Sequence, residues 1–260
     1  MATRSIFITG AASGIGLATA RHFAERGWFV GLADIDEAGL AAASTALESD
    51  RASTHRLDVR DRAAWPLALD AFTARAGRLD VLVNNAGVAR MGFLEDQSDD
   101  DVDAQIDINL KGVINGCRAG LPRLAATPGA MVVNIASVAG VIAPARMSVY
   151  VATKFAVRGF SESIALEFSR LGVGVRCIMP WFLDTPLLDK AGGNADIRAM
   201  LTGQGVAIYP VEGAALAIWK AVDGKRLHHL VGAQARQAGF LSRLVPGLVR
   251  SRLRRQVSGG

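Results

Sequence analysis

Apolar residues along this chain fall into two alternating patterns, short unbroken runs and longer stretches at helical spacing. Runs near 5–9, 28–33, 53–57, 79–84, 130–136, 173–179 and 227–232 read as strands. Their continuity is what a strand covered on both faces requires. Between them, stretches near 14–26, 36–48, 61–77, 100–126, 148–171 and 210–223 carry helical periodicity, the first stopped by Gly27. Such alternation predicts an α/β fold: a doubly wound, mainly parallel sheet with helices on both faces. No repeat, low-complexity tract or linker interrupts it, and a single domain over 1–232 accommodates the pattern.

Four of the expected strands end in segments that carry chemistry. The first runs into Thr9-Gly10-Ala11-Ala12-Ser13-Gly14-Ile15-Gly16 and then a helix. A strand, a glycine-rich turn and a helix N-terminus form a phosphate cradle of backbone N–H groups, as in Rossmann-like dinucleotide sites. The second ends in Asp34, eighteen residues after Gly16. An acid there hydrogen-bonds ribose hydroxyls and repels a 2′-phosphate. No lysine or arginine stands at position 13 or 35 to neutralise one, so NAD is expected rather than NADP. The other reading of Asp34 is a helix cap shared with Asp36. The run at 79–84 ends in Asn84-Asn85-Ala86-Gly87, and that at 130–136 leads into Ser137. Ligand sites gather at such carboxyl ends.

Tyr150 and Lys154 lie four residues apart on an expected helix, which puts their Cβ atoms within about 6 Å. A free phenol, with a pKa of about 10, is a poor base at neutral pH, and bringing it to 7 takes about 4 kcal/mol. An ammonium about 5 Å away supplies roughly 3 kcal/mol at an effective dielectric near 20. The pair therefore reads as a proton-transfer device; the plainer alternative is a half-buried tyrosine beside a solvated lysine.

Together these segments resemble the short-chain dehydrogenase/reductase family over roughly residues 5 to 232. The marks are Thr9-Gly10…Gly14-Ile15-Gly16, Asp34, Asp58-Val59, Asn84-Asn85-Ala86-Gly87, Asn109, Ser137, Tyr150 and Lys154. The resemblance implies catalysis by Asn109, Ser137, Tyr150 and Lys154, with Asn109 holding a water that links Lys154 to solvent. It implies a cofactor set of Gly10, Ser13, Gly14, Ile15, Gly16, Asp34, Asp58, Val59, Asn85, Ala86, Gly87, Tyr150, Lys154, Pro180 and Thr185. Within it Asp58 would hold the adenine amino group, Asn85 the cofactor-binding strand, Lys154 the nicotinamide ribose and Thr185 the carboxamide. It also implies a homotetramer or dimer built on the helices at 100–126 and 148–171. One departure stands out: Pro180 is followed by Trp181 where the family usually has glycine.

The expected reaction interconverts a secondary alcohol and a ketone with NAD. Met91, Phe93, Val138, Met147, Trp181, Leu187 and Leu188 are candidate pocket residues, and their apolar character predicts a steroid-like, terpenoid, aromatic or medium-chain substrate. Arg90 and Arg146 are expected at the rim. An NADPH-dependent 3-oxoacyl thioester reductase would share the catalytic residues, but Asp34 argues against it. A nucleotide-sensing or scaffold protein without turnover fits the fold, but the intact Ser137, Tyr150 and Lys154 set argues against that. The stretch 184–208, glycine-rich around 189–207, is a candidate substrate lid.

Composition narrows the setting. Although 50% of residues are hydrophobic, no apolar run approaches the roughly 18 residues of a membrane span. Met1-Ala2-Thr3-Arg4 leads directly into the first expected strand, so no signal peptide is expected. Cys117 and Cys177 fall on an expected helix and a buried strand, so a reduced, cytoplasmic protein is expected. His22, His55, His228 and His229 lack metal-ligand spacing, and no metal is expected.

Charge is segregated. All 24 acids lie at or before Asp223, while eight of the 29 basic residues follow it. The remainder is weakly acidic, so the basic balance does not indicate nucleic acid. In 236–255, Phe240, Leu241, Leu244, Val245, Leu248, Val249 and Leu253 interleave with arginines, broken by Pro246. This makes 233–260 a basic amphipathic extension. Packing on the protein's own core or a neighbouring subunit is the first reading; weak membrane-surface contact, or guarding a lipophilic entrance, is the other.

Overall fold

The computed structural model describes residues 3–47, 50–192 and 196–258. Residue 48 of the second expected helix, 193–195 of the expected lid and 259–260 of the tail lie outside the described residues. The first half of the chain builds β1 (Ser5–Thr9), α1 (Gly14–Ala24), β2 (Phe29–Asp34), α2 (Glu37–Leu47), β3 (Ala52–Arg56), α3 (Ala64–Ala76) and β4 (Val81–Asn84). The second half adds α4 (Asp99–Ile106), α5 (Gly112–Ala125), β5 (Met131–Ile135), α6 (Ser148–Ser169) and β6 (Gly174–Pro180). It continues through α7 (Pro186–Ala191), α8 (Ile197–Gly203), α9 (Glu212–Asp223) and β7 (His228–Val231) to α10 (Ala233–Leu244) and α11 (Pro246–Ser258).

The strands form one parallel seven-stranded sheet in the order β3-β2-β1-β4-β5-β6-β7. Both faces are covered, and β1 shows how. Phe7 points into a cluster with Trp65, Leu69 and Phe72, whereas Ile6 and Ile8 point into the opposite one with Phe23 and Ile218. The strand order reverses between β1 and β4, opening a crevice at the carboxyl edge where such folds bind ligands.

Two segments differ from the pattern read in the sequence. The expected helix 100–126 is interrupted by a π-helical turn, Asp107–Lys111, in which the Gly112 N–H reaches the Asp107 carbonyl. The turn contains Asn109, a polar side chain that is completely buried, and such bulges concentrate at functional positions. The glycine-rich stretch forms the short helices α7 and α8 rather than a bare loop. Pro186 sits in the first turn of α7, and Asp196 caps α8 by accepting from the Ala199 N–H at 2.9 Å. Arg198 ties them together through Asp184 at 2.5 Å and Asp189 at 2.6 Å.

Candidate active site

The ends of β1, β4, β5 and β6, with the first turn of α6, meet around a single cavity of about 930 Å³. At its cradle end Gly10 has φ 66°, a conformation costly for any other residue. A Cβ on Gly16 would lie 2.2 Å from the Gly10 carbonyl oxygen, so only glycine lets α1 start this close to the turn. Asn85 locks the same turn: its amide donates to the Thr9 carbonyl at 2.8 Å and the Gly10 carbonyl at 3.1 Å. Gly10, Ser13, Gly14 and Ile15 line the cavity; Gly16 supports them from beneath.

Asp34 lies at the far end of this cradle. One carboxylate oxygen accepts from the Ala12 N–H and the other from the Asp36 N–H, each at 3.1 Å. Those bonds orient the carboxylate and leave lone pairs for a hydroxyl ligand. Asp58 and Val59 line the same end. Arg60 holds the Asp58 carboxylate through its Nε and Nη2, at 3.0 and 2.6 Å. That hydrogen bond is the main reason the Asp58 carboxyl is held below the usual carboxylate range. The sequence reading missed Arg60; its two-residue spacing from Asp58 was the available signal.

Tyr150 stands in the first turn of α6 and faces Ser137, two residues beyond β5, whose hydroxyl favours the ionised phenol. Ser137 is itself fixed by the Ala139 N–H at 3.1 Å. Lys154, one turn further along α6, donates to the Ile135 carbonyl at 3.0 Å and places its Nζ 5.5 Å from the centre of the Tyr150 ring. Tyr150 and Lys154 are both buried, and burial dominates their titration. It raises the Tyr150 pKa, with only the Ser137 hydrogen bond opposing, and lowers that of Lys154 to about 8. Burial thus opposes the acidification that the four-residue spacing suggests. The ammonium lies over the ring and shares its desolvated surroundings.

Asn109 lies behind the cavity wall. Its Oδ1 accepts from the Val88 N–H and its Nδ2 donates to the Val88 carbonyl, both at 2.8 Å, and Nδ2 also donates to Thr153 at 3.3 Å. The carboxamide thereby clamps the loop after β4 onto α6. Both amide hydrogens are thereby used within the protein.

The other end of the cavity is apolar. Met91, Val138, Met147, Trp181, Leu187 and Leu188 line it, as do Pro180 and Thr185 at the cradle side. Phe93 is not among them: it is 39% exposed and packs under the Arg146 guanidinium, 5.1 Å from its ring centre. Arg146 lines the mouth with φ 63°, the one non-glycine positive φ among the described residues. Arg90 is engaged by Asp101 at 2.6 Å, and Ala86 and Gly87 complete the floor. The sequence reading placed no tail residue in this wall, yet Gln234, Gln237, Leu241, Val249 and Leu253 from α10 and α11 contribute to it. The i, i+3, i+7 spacing of 234, 237 and 241 was the readable signal.

Among the described residues, no three His, Cys, Asp or Glu side chains are grouped to hold a metal ion, and no helix is long and apolar enough to cross a membrane.

Comparison with known proteins agrees with this geometry. Residues 4–195 match the family model described as short chain dehydrogenase. The chain is 39% identical over 221 residues to D-threitol dehydrogenase of Mycolicibacterium smegmatis, spanning 83% of this chain and 85% of that protein. It is 36% identical over 217 residues to 3-alpha-(or 20-beta)-hydroxysteroid dehydrogenase of Mycobacterium bovis, spanning 83% and 81%. Among solved structures, a short chain dehydrogenase/reductase from Burkholderia phymatum in complex with NAD superposes with a TM-score of 0.85 at 28% identity, covering 95% of each chain.

Proposed function

The chain belongs to the short-chain dehydrogenase family, and from that premise we propose that it is an NAD(H)-dependent oxidoreductase interconverting an apolar secondary alcohol and its ketone. One observation carries the reading: Tyr150, Ser137 and Lys154 converge on a cavity whose opposite end presents Asp34 beside a glycine cradle. The residues present fit a dinucleotide. Gly10 and Gly16 allow the tight approach of turn, helix and the loop after β4 that turns backbone N–H groups toward the cavity, and Asp34 suits ribose hydroxyls while repelling a 2′-phosphate. When bound, the nicotinamide supplies the hydride acceptor and a fixed positive charge.

In the alcohol-to-ketone direction Tyr150 receives the hydroxyl proton, and in the reverse direction it returns that proton to the ketone oxygen. Ser137 holds the substrate oxygen by a hydrogen bond that strengthens as charge develops. Lys154 lies over the ring and, while protonated, offsets charge on the phenol oxygen; as a lining residue of the cavity it also binds the nicotinamide ribose. Ser13, Gly14, Ile15, Asp58, Val59, Ala86, Gly87, Pro180 and Thr185 bind the cofactor around this core. Exposed Phe155 and Leu166 on α6 supply an apolar contact for a homo-oligomer.

The apolar substrate class follows from the cavity wall, where aliphatic, methionine and aromatic side chains surround the catalytic hydroxyl. The test is turnover with NAD across a panel of steroid, terpenoid, aromatic and medium-chain secondary alcohols, with polyols and small charged acids alongside. Turnover confined to the charged acids contradicts the reading.

A further inference from the structure

We propose that α10 and α11 form a docking surface for an anionic membrane, holding the mouth of the cavity against the lipid. The two helices are amphipathic in an unusual sense, because their apolar residues serve two sides at once. Leu241, Val249 and Leu253 turn inward and line the cavity. Phe240, Leu244, Val245 and Leu248 remain 65%, 61%, 41% and 63% exposed, on helices that the chain itself does not cover. Leu248 belongs to both sets, lining the cavity while open to solvent. The apolar surface is therefore continuous from the catalytic cavity to the outside.

Charge identifies what covers it. No acid follows Asp223 in the sequence, and Arg236, Arg243 and Arg250 are exposed without a carboxylate partner among the described residues. A second copy of the same face would set arginines against arginines across a twofold contact, which disfavours self-association. A surface of anionic headgroups over acyl chains matches both components: phosphates for the guanidinium groups, and an apolar boundary layer for Phe240 and Leu244. Among the described residues no helix is long and apolar enough to cross a membrane, and the proposed contact is peripheral. On the reading that the substrate is apolar, the same contact lets it pass from lipid to Tyr150 without crossing water.

The experiment is co-sedimentation of the full chain, with saturating NAD, on vesicles of phosphatidylglycerol and phosphatidylcholine or of phosphatidylcholine alone. Three proteins are compared: wild type, Arg243→Glu/Arg250→Glu and Phe240→Ser/Leu244→Ser. Wild type is expected on the anionic vesicles at least about tenfold above the neutral ones, with the excess lost at about 1 M salt, where the screening length falls to about 3 Å. Each double variant is expected to lose that excess while keeping wild-type turnover of a small water-soluble secondary alcohol. Absence of wild-type binding to anionic vesicles overturns the proposal, as does undiminished binding by either variant. A drop in oligomeric state of Phe240→Ser/Leu244→Ser, measured by light scattering, without vesicle binding by wild type assigns the face to a second copy and also overturns it. Vesicle binding is read without turnover, so its failure is distinct from a failure of the dehydrogenase reading.

Discussion

Lys154 lies over the Tyr150 ring, its Nζ 5.5 Å from the ring centre and 3.0 Å from the Ile135 carbonyl oxygen. The amine is thus anchored to the end of β5 as well as to α6, and burial rather than a neighbouring charge sets its titration. A lysine held at about 8 releases its proton in the folded protein while the unfolded chain still keeps one, up to its ordinary value of 10.5. Folded stability gains with rising pH across that window, because there the unfolded state binds more protons.

Lys154→Met removes a buried amine that is charged below about 8. At pH 7 the variant should melt at or above the wild-type temperature, since a desolvated charge without a carboxylate partner costs stability. That advantage should shrink as pH rises from 8 toward 10.5, where wild type is relieved of its charge. Calorimetry across this range checks it, and turnover should be lost at every pH. A variant less stable at pH 7 and unchanged in its relation to wild type at pH 10 contradicts the assignment.

Gly16→Ala should cripple the cradle. The new methyl would meet the Gly10 carbonyl at 2.2 Å, and that carbonyl is held in place by the Asn85 amide. Overpacking against rigid backbone costs about 1–3 kcal/mol or more. A fall of several degrees in Tm, together with loss of NADH binding by fluorescence titration, is expected.

Asp34→Ala should relax the choice between cofactors. Removing a charged hydrogen-bonding group is worth about 1.5–3 kcal/mol, so the ratio of kcat/KM for NAD over NADP should fall at least about tenfold. An unchanged ratio would show that Asp34 serves only the Ala12 and Asp36 N–H groups.

Trp181→Ala should enlarge the apolar end of the cavity. Bulky secondary alcohols should gain in kcat/KM relative to medium-chain ones, whose contacts with the indole are lost. Parallel kinetics with both classes provide the check; equal loss for the two places Trp181 outside the substrate's path.

Much of this site could be read from the sequence because parallel strands announce themselves. The apolar runs ending at Thr9, Asp34, Asn84 and Ile135 fixed which polar residues stand at the carboxyl edge, and a four-residue spacing put Tyr150 and Lys154 on one helical face. The parts not legible there have tertiary causes. The π turn around Asn109 comes with hydrogen bonds to Val88, twenty-one residues away, and leaves no local mark. Phe93 looked like a wall residue but pairs with Arg146 outside it. The direction of the Tyr150 shift depends on how completely α6 and its surroundings exclude water, which spacing alone does not reveal. The tail was recognisable as amphipathic, but its place in the cavity wall depends on where β7 delivers it.

Replacing Tyr150 with phenylalanine tests the central claim most directly, because it removes one oxygen and leaves the ring beneath Lys154. NADH affinity, measured by fluorescence titration, should stay within about threefold of wild type, while kcat/KM for the best secondary alcohol should fall by about 10²–10⁴-fold, the usual worth of a positioned general acid or base. Turnover within a few fold of wild type, with the cofactor still bound, would contradict the account.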